Sequence, residues 1–177
     1  MAYKLIEEVI NLSNSKEWNS AVLEWFIYDY SEDEEACTSC VCGKEGLRYL
    51  FTIKNRFNGN ILYPIGSSCI KKFDYEELYT EASLIEKEFA LYHAVENNDF
   101  IELKGGLFSR KLIGKLYEEG AFKPTEYNNF NGKNDYQFLL KMFNKRELSS
   151  KQKSKASAII LDSIKPFIKQ KLKNKIK

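Results

Sequence analysis

Four cysteines, Cys37, Cys40, Cys42 and Cys69, are the only ones in the 177-residue sequence, and they fall within 33 residues of one another. C-T-S-C-V-C-G (37–43) crowds three thiols into a tight turn, for which Gly43 supplies the backbone freedom. G-S-S-C (66–69) brings the fourth to the start of a helix, where the dipole favours the thiolate. Four thiolates satisfy tetrahedral zinc at Zn–S distances of about 2.3 Å and close the shell against water and substrate. Such an ion is structural, because its binding free energy is folding free energy. These residues predict one structural Zn2+ per chain, held by Cys37, Cys40, Cys42 and Cys69. If Cys37 stands free, the single histidine, His93, or an acid completes the shell. Buried free thiols or disulfides are the alternatives. Disulfides need an oxidising compartment, and the start M-A-Y-K-L-I-E-E does not read as a secretory signal, so the expectation is a cytoplasmic protein.

A hairpin must carry the chain from the first three thiols to the fourth. L-R-Y-L-F-T-I-K (47–54) alternates as a strand, with Leu47, Tyr49, Phe51 and Ile53 on one side, and I-L-Y-P-I (61–65) returns. Asn58-Gly59 between them predicts a type I′ turn. Pro64 cannot donate to a ladder, so it belongs at an edge or a strand end. Residues 3–12 place Leu5, Ile6, Val9 and Ile10 on one helical stripe. Ser15 caps a second helix to about Trp25, and Phe26–Tyr30 reads as a short strand. S-E-D-E-E-A (31–36) then reads as a solvated acidic loop. From Cys69 onward the pattern is helical. Asp74 and Glu77 suggest a capping box, Ser109 caps a short helix that Gly120 closes, and Asp135 begins another. Ser149 and Gln152 open a last helix that Pro166 should kink or break. The expected fold is α+β: one compact, mostly helical domain with a zinc-bound β-hairpin near its N-terminal third. Its parts are N-terminal helices and acidic loop (1–36), zinc hairpin (37–73) and helical region (74–177).

Charge is unevenly placed. Residues 1–36 carry a net −7 and residues 141–177 a net +10, although the whole chain is only +2. The acidic end, through Glu32, Asp33, Glu34 and Glu35, could meet a basic partner surface. The basic end, through Lys165, Lys169 and Lys173, could meet an acidic one or a phosphate backbone. The two ends could also pair internally. Arg48, Lys54, Arg56, Lys71 and Lys72 near the hairpin, with Tyr49, Phe57 and Tyr63, supply phosphate contacts and stacking rings for a nucleic-acid partner. Neither a G-x-x-x-x-G-K-[ST] nor a G-x-G-x-x-G loop is present, and one histidine leaves little material for His-based catalysis. No apolar run approaches the ~20 residues of a membrane span. The expectation is a non-enzymatic binding protein.

W-N-S-A-V-L-E-W (18–25), C-V-C-G (40–43), the turn at Asn55–Gly59 and I-G-S-S-C-I-K-K-F (65–73) together resemble a small zinc-binding module. That module occurs in proteins of phages and mobile elements of Gram-positive bacteria. The resemblance covers roughly residues 18–73 and implies metal binding and fold far more than activity. In the module one ligand comes from the first strand; this sequence has Leu50-Phe51 there, and Cys37 would take its place. In source type and size the chain looks like a zinc-containing type II-A anti-CRISPR protein. That implies a protein partner, a type II RNA-guided Cas nuclease, and a place in the bacterial host cytoplasm.

Overall fold

Leu5 and Val9 lie one helical turn apart and bury completely on α1 (Ala2–Leu12), the first element of a computed structural model that describes residues 2–177. A short helix, α2 (Trp18–Ala21), and a 3-10 turn (Val22–Glu24) lead into strand β1 (Trp25–Glu32). The second helix is thus shorter than its sequence suggests, because Trp25 is already extended. Strands β2 (Tyr49–Asn55) and β3 (Ile61–Ile65) follow, and the three form one antiparallel sheet in the order β1-β2-β3. Pro64 therefore sits on an edge strand, where its missing N–H costs no ladder bond. The inner face presents Ile27, Phe51, Ile53, Leu62 and Ile65, all buried. Trp25 is also buried, and its indole N–H donates to Ser13 Oγ at 2.9 Å, so its polar end is satisfied.

The hairpin turn is wider than Asn-Gly predicts. Five residues (56–60) separate β2 from β3, and of the pair only Gly59 takes a positive φ, +75°. The cause is Asn55, whose side-chain oxygen accepts from the N–H groups of Phe57 (2.9 Å) and Asn58 (3.2 Å) and so sets up a local turn of its own. Its amide in turn donates to Glu24 at 2.6 Å. The Glu24 carboxylate is buried and also accepts from the backbone N–H groups of Asn14 (2.8 Å) and Ser15 (2.7 Å). Burial alone would raise its pKa, but these three donors, with Lys16 nearby, hold it below the ordinary 4.5. A depressed folded-state pKa stabilises above the unfolded value and is lost as pH falls through the folded one. Glu24→Ala should cost about 2–4 kcal/mol, by stranding three donors. Glu24→Gln should remove part of the stability loss seen on acidification below about pH 4.5. Denaturant titrations at several pH values check both.

The helical remainder begins with α3 (Ser67–Ile70) and a 3-10 turn (Lys71–Phe73), then the long α4 (Glu76–Glu96). Asp74 is left-handed, φ +51°, and Glu77 accepts from the Tyr75 hydroxyl at 2.6 Å, so the capping-box pairing expected there is replaced. Helix α5 (Arg110–Glu118) starts on Ser109, whose hydroxyl accepts from Leu112 N–H. Helix α6 (Gly132–Met142) begins three residues before Asp135, capped by Asn131. Helix α7 (Ser150–Ile159) opens on the reciprocal Ser149–Gln152 box. Pro166 has no N–H to return, and the chain widens into a π turn over Ile160–Ile164 before α8 (Lys165–Leu172).

The fold is α+β, and it forms two compact units. Residues 2–86 with 174–177 make one, residues 87–173 the other. The C-terminal tail belongs to the first: Glu32 N–H donates to Lys175 carbonyl (2.7 Å), and Lys177 N–H to Glu32 carbonyl (2.9 Å). The second unit is helical, with Phe89, Leu112, Leu116, Leu139, Ile164, Ile168 and Leu172 buried. It also buries Glu88, whose carboxylate meets Lys171 at 2.7 Å and Lys115 at 3.3 Å. No described helix is long and apolar enough to cross a membrane.

Candidate metal centre

Cys40 and Cys42 lie on a loop closed by one antiparallel bridge, in which Leu47 N–H donates to Thr38 carbonyl at 3.0 Å. Within it, Cys40 N–H donates to Lys44 carbonyl (2.8 Å), and Gly43 N–H folds back onto Cys40 carbonyl (2.7 Å). Val41 N–H reaches Pro64 carbonyl at 2.9 Å and fastens the loop to β3. The residues just after β3 form α3, which carries Cys69. The sheet therefore delivers thiols 27 and 29 residues apart in sequence to one place.

There the sulfurs of Cys40 and Cys69 stand 3.6 Å apart and those of Cys69 and Cys42 3.3 Å apart. All three lie within 4.8 Å of one another and are buried. Sulfurs on a tetrahedral zinc with 2.3 Å bonds are separated by about 3.8 Å, so the two separations from Cys69 lie within about half an ångström of a metal-binding spacing. The hydrogen bond with Cys69 pulls the Cys40 thiol down to about 5, aided by the backbone N–H groups of Cys42 and Gly66. The same contact pushes Cys69 up. Backbone N–H groups aimed at a sulfur stabilise the thiolate, the form a metal takes.

Cys37 is not in the group. It is exposed, and its thiol contacts the Glu35 carbonyl at 3.6 Å. The cause is Asp33, whose carboxylate accepts from the backbone N–H groups of Cys37 and Thr38 and from the Thr38 hydroxyl (2.6 Å), which ties down the segment before the thiol loop. His93 lies on α4 in the second unit, edge-on to Tyr92, and is also outside the group.

The acidic stretch is less solvated than its composition suggests. Glu32 is fully buried, ends β1 and meets Arg48 at 2.6 Å. Asp33 is buried as well, and the Thr38 hydroxyl foremost holds its pKa below the ordinary value. Only Glu34 and Glu35 remain exposed. Of the basic trio on the last helix and its end, Lys169 pairs with Glu96 at 2.8 Å, Lys165 is half-buried and Lys173 is exposed. Part of the opposite charge at the two chain ends pairs internally, since Lys175 meets Asp29. Sequence reading missed Glu24 and Asn55 as a structural pair, because a buried carboxylate near a helix end looks like any solvated one. It also missed the exposed ring of Tyr28, hidden by a bulge that shifts the β1 register between Ile27 and Asp29.

Family models, curated proteins and solved structures were compared with the chain, and none matches.

Proposed function

We propose that this chain is a zinc-stabilised binding protein that acts through its surface rather than by catalysis. The observation that carries this reading is the buried, all-sulfur trio Cys40, Cys42 and Cys69, which ties the thiol loop to the chain emerging from β3. An all-thiolate set suits zinc and stiffens the segment that holds it. The structural roles of the buried carboxylates add support. Glu24 caps a turn, Glu32 holds Arg48, Asp33 ties down Cys37 and Thr38, Glu88 holds two lysines, and Asp135 accepts from Asn128. Zinc binding is expected to survive Cys37→Ser and to be lost in Cys42→Ser. Elemental analysis of the purified variants reads this out, and loss of metal in Cys37→Ser would return that thiol to the ligand set.

For the partner we propose a type II RNA-guided nuclease, whose DNA targeting the chain blocks as an anti-CRISPR inhibitor. Support comes from the resemblance of residues 18–73 to a module of phage and mobile-element proteins. Large basic channels in such nucleases suit an acidic contact, which here narrows to Glu34 and Glu35. Mixing the zinc-loaded chain with a panel of type II nucleases should abolish target-DNA cleavage by at least one at equimolar protein. Full cleavage by every nuclease at tenfold excess would remove the inhibitor reading and leave the metal reading standing.

A further inference from the structure

The sheet has a second face, and it is neither apolar nor evenly polar. Phe26 on β1, Lys54 on β2 and Ile61 on β3 stand directly opposite one another in register. Around them lie Tyr28, 58 % exposed, and Tyr63, 44 % exposed, with Phe57, 70 % exposed, in the hairpin loop. The rings come with cations. Lys54 Nζ lies 4.8 Å from the centre of the Tyr28 ring, Arg56 Cζ 5.4 Å from that of Phe26, and Lys177 Nζ 5.7 Å from that of Tyr63. Among the described residues, Lys54, Arg56 and Lys177 make no ion pair, whereas Arg48, Lys169, Lys171 and Lys175 all do. Lys177 also donates to the Tyr63 hydroxyl at 3.4 Å and lies in the field of Asp29, so Lys54 and Arg56 carry the charge of this face that is open to a ligand.

We infer that this face binds single-stranded nucleic acid. Exposed rings on a sheet face offer stacking platforms to unpaired bases, and the cations beside Tyr28, Phe26 and Tyr63 can meet the phosphates that join them. A strand laid across β1, β2 and β3 would set bases on Tyr28 and Tyr63 and phosphates near Lys54 and Arg56. A duplex hides its base faces and gains nothing from the rings. An acidic protein surface would use the cations and leave the rings without a matching partner. The inference relies on the metal-held sheet and not on the nuclease partner.

Fluorescence anisotropy with a labelled 12-nucleotide mixed-sequence oligonucleotide, as single-stranded DNA, single-stranded RNA and duplex DNA, tests it on the zinc-loaded chain. The single strands should bind more tightly than the duplex. Tyr28→Ala with Tyr63→Ala should weaken them about tenfold or more. Lys54→Gln with Arg56→Gln should make the slope of log K against log salt shallower by about 1.4. These side chains are at the surface, so unchanged zinc content and circular dichroism establish that the variants remain folded. Three results would each overturn the inference: no binding at 100 mM salt, equal affinity for duplex and single strand untouched by the tyrosine changes, or polyglutamate competing as well as the oligonucleotide. The last would assign the face to an acidic protein instead. Zinc content measured beside the binding curve separates failure of this face from failure of the metal site.

Discussion

Chelating the zinc proposed at Cys40, Cys42 and Cys69 is expected to unfold residues 2–86 and shift the tryptophan emission to that of solvated indole. Both tryptophans, Trp18 and Trp25, lie in that unit, so their fluorescence reports on it alone. Structural zinc contributes on the order of 10–16 kcal/mol in small zinc-finger peptides, while whole domains are stable by about 5–15 kcal/mol. A unit that relies on such an ion has little left without it. The mechanism is local. Without a cation, three buried sulfurs within 4.8 Å of one another must keep protons or repel as thiolates. The loop then loses its anchor to α3, and the bond from Val41 to Pro64 is left to hold the edge of β3. Cys69→Ser should do the same, and lowering the pH should mimic chelation because protons compete for thiolate ligands. An emission maximum unmoved after verified removal of the metal would show that the trio packs adequately as thiols.

Gly132→Ala is expected to destabilise the helical unit by about 4 kcal/mol or more. A Cβ at Gly132 would come within 2.0 Å of the Phe122 carbonyl oxygen and 2.8 Å of its carbon. Those atoms belong to the backbone, so no rotamer relieves the clash. The loop before α6 has little room to retreat, because Asn128 donates to Asp135 at 2.7 Å and to Lys123 carbonyl at 2.8 Å and accepts from Thr125 and Asn131 N–H. Gly114→Ala is the control. It sits inside α5 with nothing within 4 Å of a new Cβ, and should stabilise by roughly 0.5–1 kcal/mol through helix propensity. Denaturant melts followed by far-ultraviolet circular dichroism distinguish the two, and similar small effects at both glycines would refute the clash.

Local patterns carried much of the fold. Alternation at 47–54 and the return at 61–65 identified the hairpin, whose strands are Tyr49–Asn55 and Ile61–Ile65, Ser109 and the Ser149–Gln152 pair located helix starts, and Pro166 marked the break in the last helix. Each signal acts within a few residues, where propensity and capping decide. Signals that tertiary contacts can override read less well. Asn-Gly lost its two-residue turn because Asn55 competes for the same N–H groups. The acidic run 32–33 turned inward because Arg48 and Thr38 reward burial.

The sequence by itself determined that the cysteines cluster and that a hairpin returns one of them to the others, since both follow from spacing and alternation along the chain. Only the tertiary structure decided which thiols converge. Cys40, Cys42 and Cys69 meet because the loop docks on β3 through Val41 and Pro64, while Asp33 holds Cys37 outside. Ligation depends on sulfur positions to within about an ångström. Positions at that precision are set by contacts between segments distant in the chain, which neighbouring residues do not encode.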